Sequence, residues 1–282
     1  MEISILGPLV LSNAGRTAAP TAPKPRSVLG LLLLNADQTV SGSALIRDLW
    51  GSAPPASAVT TSQTYILQIR KCLGKLLGIS VSEVAKRLLV TVPGGYLLRA
   101  ASAEFDRRTF DQLSVTGRHA LAAGENVEAA ATLSRACALW RGPALADVRP
   151  GAVAEAQLKA LEQVRLNTVE QCIEARLRLG HHQDVLPELT LLVAEHGLNE
   201  NFCAQLMVAL HRSGQRQEAL AAFHRLRTSM IDDLGLEPSK RLHLLQQAIL
   251  ADDPALEVAP RDDGLMQLFD HLGLGLQRAH AR

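Results

Sequence analysis

The chain has 282 residues, 47% of them hydrophobic, which is enough for two domains with a core each. No run approaches the roughly 18 apolar residues of a membrane span, and MEISILG lacks the basic start and apolar core of a signal sequence, so a cytoplasmic location is expected. The formal charge of +1 hides an asymmetry, with ten Lys/Arg against four Asp/Glu in residues 1–100 and sixteen against twenty-one in 101–260; this suits a polyanion-binding head on a protein-facing body.

Apolar residues alternate with polar ones at Ile3 and Ile5 and again at Leu9 and Leu11, and Gly7-Pro8 and Asn13-Ala14-Gly15 punctuate the pattern. Short antiparallel strands are expected there. After the proline-rich APTAPKPR, the leucine-rich SVLGLLLLN reads as a buried first helix. Ser41 or Ser43 can cap a second helix that contains Leu45, Ile46 and Leu49 and ends at Trp50-Gly51, ahead of Pro54-Pro55. A third helix runs from near Ser57 to about Leu77, with Ile66, Ile69, Leu73 and Leu76 as its buried stripe. Its opposite face carries Thr61, Thr64, Tyr65, Gln68, Lys71 and Lys75. Glutamine can pair with adenine, threonine methyls can touch thymine methyls, and Lys can hold phosphate. An ordinary solvated helix shows the same composition, so the weight rests on the elements around this helix. LLVTVPGGYLL at 88–98 reads as two strands joined at Pro93-Gly94-Gly95, a turn that uses glycine's access to positive φ. Strands, three helices and a hairpin form the element order of a winged helix-turn-helix, in which the third helix enters the major groove and the hairpin is the wing.

The runs PKPRSVLGLLLLN, LIRDLWG, AVTTSQTYILQIRKCLG and LLVTVPGGYLL together resemble the DNA-binding domain of the Streptomyces antibiotic regulatory proteins, relatives of the OmpR-type fold. The resemblance extends over roughly residues 1–256. Ser62 departs from it, standing where an apolar residue is expected on the buried side of the third helix. Its hydroxyl either bonds a backbone carbonyl one turn back or loosens the helix start.

From Phe105 onward the chain reads as helices: Asp106 to Ala123, Val127 to Trp140, Ala154 to Leu179, and shorter units to about Leu250. ARLRLGHHQDVLPEL and VALHRSGQRQEALAAF align with Gly180 and Gly214 at the turns, 34 residues apart, the period of tetratricopeptide repeats. ALAAGENVEAAATL around Gly124 shares the pattern out of phase. The small residues Ala219 and Ala222 would let one helix pack closely on the next. LWRGPALADV (139–148) and DDLGLEPSKRLHLLQQAILADDPAL (232–256) resemble the bacterial transcriptional activator domain of the same family, although helix punctuation alone explains them. The fold class expected is therefore mainly α, a winged helix-turn-helix over 1–100 followed by an all-α tetratricopeptide-like domain over 101–258. An amphipathic tail is expected over 259–282, with Leu265, Leu268, Phe269, Leu272 and Leu276 at helical spacing.

Catalytic and metal chemistry find no footing. GxSxG and HExxH are absent, His181-His182 has no third ligand at useful spacing, and no glycine-rich phosphate loop ends in Lys-Ser/Thr. Cys72, Cys137, Cys172 and Cys203 are too scattered for a zinc clip or disulfide framework. No cofactor is expected. The resemblance implies a nucleoid-associated activator of secondary-metabolite genes that binds promoter direct repeats as a homodimer on double-stranded DNA and contacts RNA polymerase holoenzyme with its sigma factor. Thr61, Thr64, Tyr65, Gln68 and Lys71 are the expected groove residues, with Lys24, Arg26, Lys75, Arg87 and Thr91 on phosphate. The competing expectation is a tetratricopeptide adaptor whose basic head binds a protein or an acidic ligand.

Overall fold

The computed structural model describes residues 1–257, so the amphipathic tail expected over 259–282 lies outside the described residues. In chain order the elements are β1 (Glu2–Ser4), β2 (Val10–Asn13), β3 (Arg16–Thr17), α1 (Pro23–Leu34), β4 (Thr39–Ser41), α2 (Gly42–Trp50), α3 (Ala58–Leu77), α4 (Val81–Arg87), β5 (Leu89–Val92), β6 (Gly95–Leu98) and β7 (Glu104–Phe105). They continue with α5 (Asp106–Ala122), α6 (Asn126–Cys137), α7 (Ala152–Arg178), α8 (His182–Glu195), α9 (Glu200–Arg212), α10 (Arg216–Leu234) and α11 (Lys240–Ala251). The protein is mainly helical, a winged helix followed by a tetratricopeptide-like array.

Two compact units emerge, and the division runs through α5 and α7 instead of falling at residue 100. One unit comprises Met1–Leu113 and Arg135–Leu166; the other comprises 114–134 and the described residues from 167 onward.

In the first unit, β1 lies between β2, antiparallel to it, and β7, parallel to it, in the order β3-β2-β1-β7. The two-residue turn Ala14-Gly15 has positive φ at both positions, the twist that a tight hairpin needs. α1 starts four residues earlier than SVLGLLLLN suggests. Pro23 opens it because the first N–H of a helix has no intrahelical partner to lose. The wing is a three-stranded sheet, β4-β6-β5, since Thr39–Ser41 adds a strand that three residues are too few to announce by periodicity. Gly95 makes that pairing possible: a Cβ there would stand 2.1 Å from the Val40 carbonyl oxygen. Between α3 and the wing lies a fourth helix, α4, beyond the three that apolar periodicity predicts. Its Ser80 and Glu83 form a reciprocal capping box.

Strand β1, helices α1 to α3 and the wing share one core with residues far along the chain, including Ala136, Leu145, Ala154 and Leu161. Carboxylates and carbonyls fasten the segment. Asp106, at the start of α5, accepts from the Ile5 amide (3.0 and 2.9 Å) and the Leu6 amide (3.0 Å). The Arg141 amide donates to the Leu6 carbonyl and the Leu145 amide to that of Ile5. Asp147 accepts from the Leu9 amide at 2.8 Å, and Ser27 Oγ donates to the Arg149 carbonyl at 2.7 Å. Asp48, buried in α2, accepts from the Ala154 amide at 2.8 Å and so caps the first turn of α7. The loop after α6 is thus structurally part of the N-terminal unit.

In the second unit α8 packs on α9, α9 on α10 and α10 on α11. Gly124, Gly180 and Gly214 all take left-handed φ at helix ends, and Ala219 and Ala222 are buried, as the repeat pattern requires. His181-His182 opens α8, and among the described residues no His/Cys/Asp/Glu group is arranged to hold a metal.

Candidate nucleic-acid interface

α3 has an inner and an outer face. Ala58, Ser62, Ile66, Ile69, Leu73, Gly74 and Leu76 are buried. Ser62 takes the first of its two alternatives: Oγ donates to the Ala58 carbonyl at 2.8 Å, satisfying its polar group inside the core and fixing the register of the first turn. With Ser62 inside, the outward residues follow. Thr60, Gln63, Thr64, Leu67, Gln68, Lys71 and Lys75 are exposed, whereas Thr61 and Tyr65 are half-buried at the edge of the face. The exposed face keeps Thr64, Gln68, Lys71 and Lys75 and gains Thr60, Gln63 and Leu67. Apolar spacing carries the signal for that shift toward Thr60 and Gln63 once Ser62 is counted as buried.

The other expected residues divide into three groups. Lys24 comes to the α3 surface: with Asp48, Tyr65, Gln68 and Arg149 it lines a cleft of about 580 Å³ at the N-terminus of α1, and its ammonium lies 4.9 Å from the centre of the Trp50 ring. Thr91 comes to it through Arg70, a residue outside the expected set. Arg70 reaches from α3 to the wing, where Nε donates to the Leu89 carbonyl at 3.0 Å and Nη2 to Thr91 Oγ1 at 2.8 Å. Partial burial pulls the Arg70 pKa below its ordinary value, opposed by the nearby Tyr96. Lys75 in the last turn of α3 and Arg87 at the end of α4 are exposed. Arg26 is the exception. Its guanidinium donates to the Pro20 and Leu9 carbonyls, both at 3.1 Å, and pairs with Asp147. With only 17% of its side chain exposed it is a structural clamp, both terminal guanidinium nitrogens being engaged within the unit.

The segment that carries this surface is predominantly basic. Between Asp48 and Glu104 the chain carries Arg70, Lys71, Lys75, Lys86, Arg87 and Arg99 against the single acid Glu83. That carboxylate is engaged with the Ser80 amide and hydroxyl. An uncharged amide and hydroxyl face between cationic flanks is complementary to a groove bordered by phosphates.

Known proteins resemble both parts of the chain. Residues 105–250 match the bacterial transcriptional activator domain family. The regulatory protein DnrI of Streptomyces peucetius is 46% identical over 257 residues, covering 91% of this chain and 94% of DnrI. The transcriptional regulator RedD of Streptomyces coelicolor is 32% identical, covering 94% of this chain and 77% of RedD. The regulatory protein AfsR of Streptomyces griseus is 35% identical, but the chain spans only 26% of its length. Among solved structures, Mycobacterium tuberculosis EmbR in complex with a low-affinity phosphopeptide superposes with a TM-score of 0.83 at 32% identity, over 96% of this chain and 69% of that one.

Proposed function

This chain belongs to the Streptomyces antibiotic regulatory protein family of transcriptional regulators, and from that premise we propose that it is a sequence-specific DNA-binding activator of secondary-metabolite genes. The observation that carries this reading is the outer face of α3, uncharged at its centre, basic at its flanks and tied to the wing through Arg70. In the complex α3 lies in the major groove, with Gln63, Thr64, Gln68 and Lys71 on base edges and the adjoining backbone, and with Thr61 and Tyr65 at the rim. Lys24, Lys75, Arg87 and Thr91 face phosphates, and Arg70 holds Thr91 and the wing against α3. Two copies bind direct repeats about one helical turn, roughly 10 bp, apart as a head-to-tail homodimer on one side of the duplex. The helical units contact RNA polymerase holoenzyme and its sigma factor, and the protein works in the cytoplasm at the nucleoid.

Fluorescence anisotropy of the full chain with duplexes from its own genomic neighbourhood, against scrambled duplexes of equal composition, tests the reading. Selective binding with a steep loss of affinity on added salt is expected. Equal, weak binding to both duplexes at low salt would overturn it in favour of an adaptor with a basic protein-binding head.

A further inference from the structure

In the segment 1–113, all of it described, two large apolar side chains are exposed, and both stand on α3: Val59 in its first turn and Leu67, 43% exposed, at its middle. Leu67 is ringed on the helix surface by Thr60, Gln63, Thr64 and Lys71, its neighbours three, four and seven positions away. The donors beside it are partly occupied. Thr64 Oγ1 donates to the Thr60 carbonyl at 3.0 Å, which leaves its methyl group and oxygen lone pairs to face outward chemistry. The centre of the face is consequently apolar, while its amides and ammonium group lie around the rim.

A major groove offers one apolar feature to such a centre, the 5-methyl group of thymine, and the cationic flanks select a nucleic acid over an apolar protein patch as occupant. We propose that Leu67 is a specificity-determining residue that packs on a thymine methyl, so that the recognised sequence carries a T·A pair opposite the middle of α3. Gln63, one turn before Leu67, is placed to pair with an adenine beside it. The inference rests on the DNA-binding reading above and names what that surface prefers.

The test uses the full chain and a duplex enriched by it from a random-sequence pool. Each thymine is replaced singly by deoxyuridine, which removes the methyl group and leaves the Watson–Crick edge intact, and anisotropy is measured with wild type and Leu67→Ala. One or two replacements should weaken wild-type binding about threefold to fivefold, the value of one buried methyl group. Leu67→Ala should bind the thymine and deoxyuridine forms equally, with an unchanged salt slope and melting temperature, because the side chain is exposed and alanine favours helix. Wild-type indifference to every replacement overturns the inference while leaving selective DNA binding intact. Discrimination that survives in Leu67→Ala and disappears in Thr64→Ser overturns it too, moving the contact to Thr64. Failure to enrich any duplex overturns the DNA-binding reading and this inference with it.

Discussion

Replacing Asp106 by alanine should destabilise the N-terminal unit by about 2–6 kcal/mol. The carboxylate accepts from two backbone amides, Ile5 and Leu6, which belong to side chains with no exposed surface, and the Asp106 side chain itself is only 11% exposed. Water has little access to fill the vacancy, so each orphaned N–H costs about 1–3 kcal/mol. Arg141, 3.4 Å away and 43% exposed, adds little because its charge stays solvated. At about 2–4 °C per kcal/mol for a unit of this size, the melting temperature should fall by about 4–24 °C. Asp106→Asn keeps one carbonyl acceptor and should fall by about half as much. Differential scanning fluorimetry and circular dichroism on wild type and both variants make the comparison. A shift below about 1 °C for Asp106→Ala would refute the claim that the end of strand β1 depends on α5 for its hydrogen bonds.

A fragment ending at residue 100 should melt without a cooperative transition, since it lacks Asp106, Asp147 and the carbonyl of Arg149; circular dichroism on the fragment and the full chain decides this. Lys71→Ala should lower the slope of log affinity against log salt by about 0.9, while Arg26→Met should leave the slope unchanged and reduce the melting temperature, because Arg26 serves Asp147 and two carbonyls. Gly95→Ala should cost about 1–3 kcal/mol by chemical denaturation, as its Cβ meets backbone of β4 that has no rotamer to yield. Iodoacetamide followed by mass spectrometry should label Cys72 well before Cys203. Burial raises both thiols, but that of Cys203 rises to about 12 with no exposed surface, so its thiolate becomes available only in strong alkali.

Much of the protein is legible one segment at a time because the determinants are local. The buried stripe of α3 repeats within each turn, and the glycines at 124, 180 and 214 end helices through their own φ. The β5–β6 hairpin follows from Pro93-Gly94. The capping box Ser80-x-x-Glu83 is equally local, but seven residues of helix between two stronger elements give it too little pattern to stand out. Strands β4 and β7 are three and two residues long, shorter than any periodicity can register.

Only the tertiary structure decides which polar groups are free. Lys24, Arg26, Arg70 and Lys71 look alike as cations in a basic segment. Arg26 is engaged by an aspartate 121 residues away and Arg70 by a strand carbonyl 19 residues away, while Lys71 stays solvated. The loop after α6 likewise carries no strand signal and still supplies the partners of Ile5, Leu6 and Leu9. Hydrophobic period reports which side of an element faces inward, a property of neighbours three and four residues apart. A hydrogen bond between distant residues depends on where two elements meet, and that meeting is settled by packing of the whole core, which no single segment contains.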